Sequence, residues 1–91
     1  SAGELDFPEP TTLESWQSVE GGHEVTILVR IRGGAPPFTV DYEGDTFETT
    51  LRDYPLKFFV YRCSIFGTIT VKSADGQRVS HDYWINAPWC D

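Results

Sequence analysis

The chain of 91 residues has no methionine, only two cysteines, and seven lysines and arginines against fourteen aspartates and glutamates. Each shortage closes off a class of function. At a formal net charge of −7 nothing is available to neutralise phosphates, which argues against a nucleic-acid partner. Anionic membrane surfaces are disfavoured for the same reason. No apolar run is long enough to span a bilayer, so no membrane insertion is expected. The cysteines form no Cys-x-x-Cys pair, and His23 and His81 stand far from any paired ligand spacing, so no metal or other cofactor is expected. No useful stretch carries a helical apolar period, and no internal repeat or low-complexity tract is visible. The chain begins Ser1-Ala2-Gly3, without an initiator or a signal-like run. We read it as a piece of a longer protein, with a cloning remnant as one source of its first residues.

What is present is strand and turn chemistry. A chain of this length makes one domain and buries only a little over ~60% of its unfolded surface, so its core is thin. Three tryptophans, four tyrosines and six phenylalanines supply bulk, since each aromatic can bury about 150–250 Å². The acidic excess is read as a solvated surface.

Residues 1–12 hold Gly3, Pro8 and Pro10 and few apolar side chains, and are expected to be an irregular lead-in or linker to a domain over 13–91. Trp16 and Val19 mark a short first strand, with Glu20-Gly21-Gly22-His23 as a turn. Val25 to Arg32 is the strongest strand, with Val25, Ile27, Val29 and Ile31 facing the core. Gly33-Gly34-Ala35-Pro36-Pro37 ends it, because neither proline can donate to a ladder. Phe38–Tyr42 and Asp45–Leu51 form a hairpin when Tyr42 pairs with Asp45 and Val40 with Phe47. Arg52-Asp53-Tyr54-Pro55 is expected as a loop, and Leu56 to Tyr61 as a strand apolar on both faces. Such a strand is central, or one side meets a partner. The total is six or seven strands with regular turn signals, the pattern of an antiparallel β-sandwich.

The register of the last hairpin can be derived. A two-residue loop at Asp75-Gly76 would set Val71 opposite Ser80 and mix core with solvent faces. A three-residue loop, Ala74-Asp75-Gly76, pairs Val71 with Val79 and Ile69 with His81, and puts glycine where a left-handed residue is needed. Gly67 then lies opposite Tyr83, whose ring can cover it. Continued, the register pairs Cys63 with Ala87, three residues short of Cys90. A bend at Pro88 would bring Cys90 within reach of Cys63. A disulfide is the favoured reading in an exported protein; two separate thiols, with Cys63 buried as a small hydrophobe, is the other.

Two runs resemble a known family. Gly33-Gly34-Ala35-Pro36-Pro37-Phe38-Thr39-Val40 resembles the Gly-Gly-x-Pro-Pro-Tyr/Phe-Thr run of bacterial cell-surface immunoglobulin-like repeats. Gly67-Thr68-Ile69-Thr70-Val71-Lys72-Ser73-Ala74-Asp75-Gly76 resembles the Gly-x-Tyr-x-Val-x-Val-x-Asp-x-x-Gly region of those repeats and of PKD domains. The likeness covers about half the chain. Ile69 stands near where the family has an aromatic, and the tail Tyr83 to Cys90 is not a family feature. The resemblance implies an immunoglobulin-like sandwich that is secreted or cell-surface, not an enzyme, and acts as spacer, adhesion module or appendage of a secreted enzyme. Its partners would be neighbouring domains of the same chain, another protein or a polysaccharide.

Candidate sites are few. Ser80-His81-Asp82 holds triad residue types, but neighbours in a strand point to alternate faces and cannot form a relay. Asp41, Glu43, Asp45 and Glu48 could offer oxygens to Ca²⁺, yet their spacing does not match an EF-hand loop, and a solvated hairpin tip is favoured. Phe66 and Trp84 share the outward face of the last hairpin, and Phe59 and Tyr61 could extend it into an aromatic patch for a sugar ring or a neighbouring domain. The competing reading, favoured because large exposed patches are uncommon, has a long loop or the N-terminal segment cover it, with Trp16 or Phe7 packing there. Trp89 is expected to pack against the Cys90 bond.

Overall fold

The computed structural model describes residues 3–90; Ser1 and Ala2 of the expected lead-in and Asp91 of the expected domain lie outside the described residues. Seven strands follow in order: β1 (Ser15–Val19), β2 (Gly22–Arg30), β3 (Phe38–Tyr42), β4 (Asp45–Thr49), β5 (Asp53–Val60), β6 (Ser64–Lys72) and β7 (Arg78–Asn86). They form two antiparallel sheets, β1-β2-β5 and β4-β3-β6-β7. The alternation of the strands decides how the sheets meet. Val25, Ile27 and Val29 of β2, Phe38 and Val40 of β3, Leu56 of β5, Ile65, Ile69 and Val71 of β6 and Tyr83 and Ile85 of β7 are all buried in one core. Fully burying each aliphatic side chain contributes about 1.5–3 kcal/mol. The result is an immunoglobulin-like sandwich of three plus four strands.

The hairpin registers are those derived above. Tyr42 pairs with Asp45 and Val40 with Phe47. Val71 pairs with Val79, Ile69 with His81 and Gly67 with Tyr83. Ser73 N–H donates to Gln77 O at 2.9 Å, closing the three-residue loop, and Gly76 has φ 93°. Beyond the ladder, Ala87 N–H donates to Cys63 O at 2.8 Å. Cys90 N–H then donates to Ala87 O at 3.2 Å across Pro88 and Trp89. That turn is the bend the cysteines require, and Cys63 and Cys90 are disulfide-bonded with Cα atoms 5.7 Å apart.

Several expectations are corrected. The first turn is tighter: Glu20-Gly21 alone turns the chain, and Gly22 and His23 already pair in β2. β2 ends at Arg30: Ile31 N–H still donates to Arg52 O at 2.6 Å, opposite it in the same register, but Arg32 bonds to Asp6 instead of to β5. β5 begins at Asp53, so Tyr54 and Pro55 are strand rather than loop. Pro55 is tolerated there because β5 is an edge strand, whose nitrogen can face away from β2. The edge position also overturns a central placement for this strand.

The segment before β1 is irregular but belongs to the core. Leu5 and Phe7 are buried, at 4% and 2% exposure. Asp6 exchanges backbone hydrogen bonds with Arg32, at 2.9 and 2.8 Å. Gln77, just past the last turn, reaches back to Leu5 N–H and Gly3 O.

Candidate binding face

Phe66 and Trp84 stand directly opposite one another on β6 and β7. Their chain neighbours Ile65, Tyr83 and Ile85 are buried, so the period of two turns both rings to the outer face of the four-stranded sheet. Phe66 is 51% and Trp84 65% exposed. Their centroids are 5.9 Å apart with planes tilted by 31°, within the range of favourable aromatic pairs. Trp84 Nε1–H donates to Asn86 Oδ1 at 3.3 Å, which orients the indole.

The rungs that follow on this face are polar. Thr68 Oγ1–H donates to Asp82 Oδ1 at 2.6 Å, and the Thr70 and Ser80 hydroxyls lie 2.7 Å apart. Toward β3 and β4, Thr46 Oγ1–H donates to Asp41 Oδ1 at 2.7 Å, and Lys72 Nζ lies 3.6 Å from Asp41 Oδ2. The face is therefore an aromatic pair at one end and a ladder of hydroxyls and carboxylates beyond it.

Phe59 and Tyr61 form a second exposed pair, 6.3 Å apart. With Phe66, Tyr42, Glu43 and Arg62 they line an open groove of about 230 Å³. Arg62 lies over the Tyr61 ring at 5.2 Å and donates from Nη2 to Tyr61 Oη at 3.2 Å. Phe66 thus belongs to both the platform and the groove, while Trp84 belongs to the platform alone. The groove and the role of Arg62 were not anticipated. Their signal was a strand apolar on both sides that ran into an arginine.

The expected cover is elsewhere. Phe7 is buried with its ring edge-on to His81, centroids 4.8 Å apart. Trp16 lies 5.1 Å from Trp89 and 5.6 Å from His23. Trp89 is stacked on His23 at 3.8 Å with planes 9° apart, with Trp16 as its second ring neighbour. The four aromatics are left uncovered.

Ser80, His81 and Asp82 disperse to three partners: Ser80 to Thr70, Asp82 to Thr68, and His81 to Asp6, whose Oδ1 is 3.0 Å from Nε2. The hydrogen bond from His81 holds the Asp6 carboxyl below its ordinary value. Among the described residues no three His, Cys, Asp or Glu side chains converge as a metal site would need. No helix among them is long and apolar enough to cross a membrane.

A tyrosine pair lies between the sheets near the groove. Tyr83 Oη–H donates to Tyr42 Oη at 2.9 Å, with Tyr42 also packed on Phe58 across the sandwich at 4.6 Å. Burial raises both phenols, most strongly Tyr83, which also loses its donated bond on ionising. Up to the ordinary value of about 10, folded and unfolded chains alike keep these protons. Above it the unfolded chain ionises while the native pair does not, so stability falls as pH rises. Ultraviolet titration of the phenols should show Tyr42 and Tyr83 ionising only together with alkaline unfolding. Ionisation of Tyr42 and Tyr83 near the ordinary value, with the fold intact, would contradict this burial.

Comparison with protein-family models, curated proteins and solved structures finds no match to this chain.

Proposed function

We propose that this chain is a non-catalytic, immunoglobulin-like interaction module of a larger exported or cell-surface protein, and that it meets its partner through the Phe66/Trp84 face. The exposure of these two rings on an otherwise polar sheet carries the reading. Fully burying an exposed side chain of this kind contributes roughly 1.5–3 kcal/mol, and with half or more of each ring still exposed a partner that covers them gains the part that folding leaves unused. The disulfide fits an oxidising compartment, and the likeness to cell-surface immunoglobulin-like repeats agrees with it.

The geometry favours one partner class as a second reading, a carbohydrate. An exposed, mutually tilted aromatic pair next to fixed hydroxyls and a carboxylate matches a ring with one apolar face and a polar rim.

The test is co-sedimentation of the purified chain with cell-envelope preparations. Wild type is expected to bind, and Trp84→Ala to lose ten-fold or more in affinity with an unchanged melting temperature. Truncating an aromatic anchor at the centre of an interface costs about 2 kcal/mol or more, and about 1.4 kcal/mol is tenfold. Equal binding by the variant removes this face from the reading.

A further inference from the structure

We infer that the outer face of β6 and β7 binds a neutral, hydroxyl-rich glycan, with one sugar ring on Phe66 and Trp84 and a hydroxyl of the same chain donating to Asp82. The inference rests on the carbohydrate reading above and adds the charge class of the glycan and the role of Asp82.

Hydrogen-bonding capacity comes first. An ionised carboxylate accepts through both oxygens and donates nothing. Asp82 uses Oδ1 to accept from Thr68, which fixes its orientation and leaves Oδ2 open. What suits Oδ2 is a hydrogen-bond donor, which a sugar hydroxyl supplies, and a bond to a charged acceptor is the stronger kind. Asn86 accepts from the indole through Oδ1, leaving its amide hydrogens to donate. The aromatic pair is therefore flanked by one acceptor and one donor, the complement of a group that carries hydroxyls around an apolar ring. An aliphatic protein surface would instead find its rim facing Asp82, Thr68 and Asn86, with their polar groups unsatisfied.

Spacing comes second. Asp82 precedes Trp84 by two residues on one face of β7, about 6.6 Å at the ordinary strand rise. The Thr70–Ser80 rung comes after another step of the same size. A sugar chain laid along the strands would pass from rings to carboxylate to hydroxyls in register.

Charge comes third, and it selects among glycans. Lys72 and Arg78 form the far rung of this face. Six residues separate Arg78 from Trp84, about 20 Å along β7, well beyond the screening length of about 8 Å at physiological salt. Lys72 is engaged by Asp41. Arg62, the cation next to Phe66 in the groove, is stacked over Tyr61. The charged groups near the aromatic end are the carboxylates Asp82 and Glu43 and the cation Arg62, whose charge the Tyr61 ring does not cancel, so carboxylates outnumber cations there on a chain of net charge −7. A uronic or sulfated glycan would meet repulsion there.

The experiment is tryptophan-fluorescence titration and calorimetry of the whole chain with neutral hexasaccharides of glucose, mannose and N-acetylglucosamine, and with a galacturonate hexasaccharide as the anionic probe. At least one neutral hexasaccharide is expected to bind, and the galacturonate at least ten-fold more weakly. Trp84→Ala should weaken the neutral ligand ten-fold or more, and Asp82→Ala, on an exposed rung that leaves the core intact, also about ten-fold. Absence of neutral binding at millimolar ligand overturns the inference, as does Asp82→Ala at wild-type affinity, or galacturonate binding as tight as neutral. If envelope binding still depends on Trp84 while no neutral sugar binds, the glycan is wrong and the interaction module stands. If envelope binding does not depend on Trp84, the face itself is wrong.

Discussion

Phe7→Ala is expected to remove about 3–5 kcal/mol of stability, the ordinary cost of emptying a buried phenylalanine site. A domain of this size has roughly 5–15 kcal/mol in total, so the variant should be close to unfolded at physiological temperature. Two features make the site hard to collapse. Phe7 is 2% exposed and sits against the His81 ring. Its neighbour Asp6 is held by two backbone bonds to Arg32, so the chain cannot easily move inward to fill the space. Truncation would also open the buried core to which Phe7 belongs. Phe66→Ala is the paired measurement: it deletes the same atoms from a half-exposed ring and should cost well under half as much. Urea denaturation of both variants decides the matter. A Phe7→Ala midpoint within about 1 kcal/mol of wild type would mean that the N-terminal segment lies on the domain without stabilising it.

That segment shows where legibility in the sequence ended. Leu5-Asp6-Phe7 does alternate, but over three residues, hemmed in by Gly3 and Pro8, which is too short for a period to speak. What makes Phe7 core is the gap it fills beside His81, and a tertiary gap has no local signature. Hairpins lie at the other extreme. Val71 opposite Val79 and Val40 opposite Phe47 follow from parity plus one turn, because a slip of one residue would invert every side chain. β5 falls between them. Its apolar residues on both faces suggested a central strand or one whose second side meets a partner; it lies at an edge with Phe59 half exposed, which removes the first of these. Strand order depends on crossovers that pattern does not encode.

The candidate face divides the same way. Parity alone put Phe66 and Trp84 on one outward side of the last hairpin. Whether something covers them depends on the course of the N-terminal segment, and that segment is used to fill the core instead. The groove joining Phe66 to Phe59 and Tyr61 arises because the chain leaves one sheet at β5 and enters the other at β6 within a few residues. No local pattern announces such a junction.

Replacing both cysteines by serine is expected to cost roughly 3.5 kcal/mol, the loop-closure value for a bridge across 27 residues of sequence. Most of this acts on the unfolded chain, which becomes free to expand, so the slope of the urea transition should rise as its midpoint falls. A native-state contribution adds to it at one place. Beyond Asn86 the chain is held by the Ala87–Cys63 hydrogen bond, the turn over Pro88, the Trp89 stack on His23 and the bridge itself. Without the bridge these remaining contacts hold only one short segment, and the end of β7 should open locally before the rest of the sandwich. Hydrogen exchange should therefore speed up at Ile85 and Ala87, while Val71 and Val79 near the other end keep their protection. Trp84 is one residue from that opening and Phe66 is directly across from it. The bridge is accordingly expected to support the candidate face as well as the fold, and the serine pair should bind the proposed glycan more weakly at temperatures where the core is still intact. A stability loss below about 1 kcal/mol, or uniform exchange along β7, would show that the bridge closes a loop the native ladder already holds.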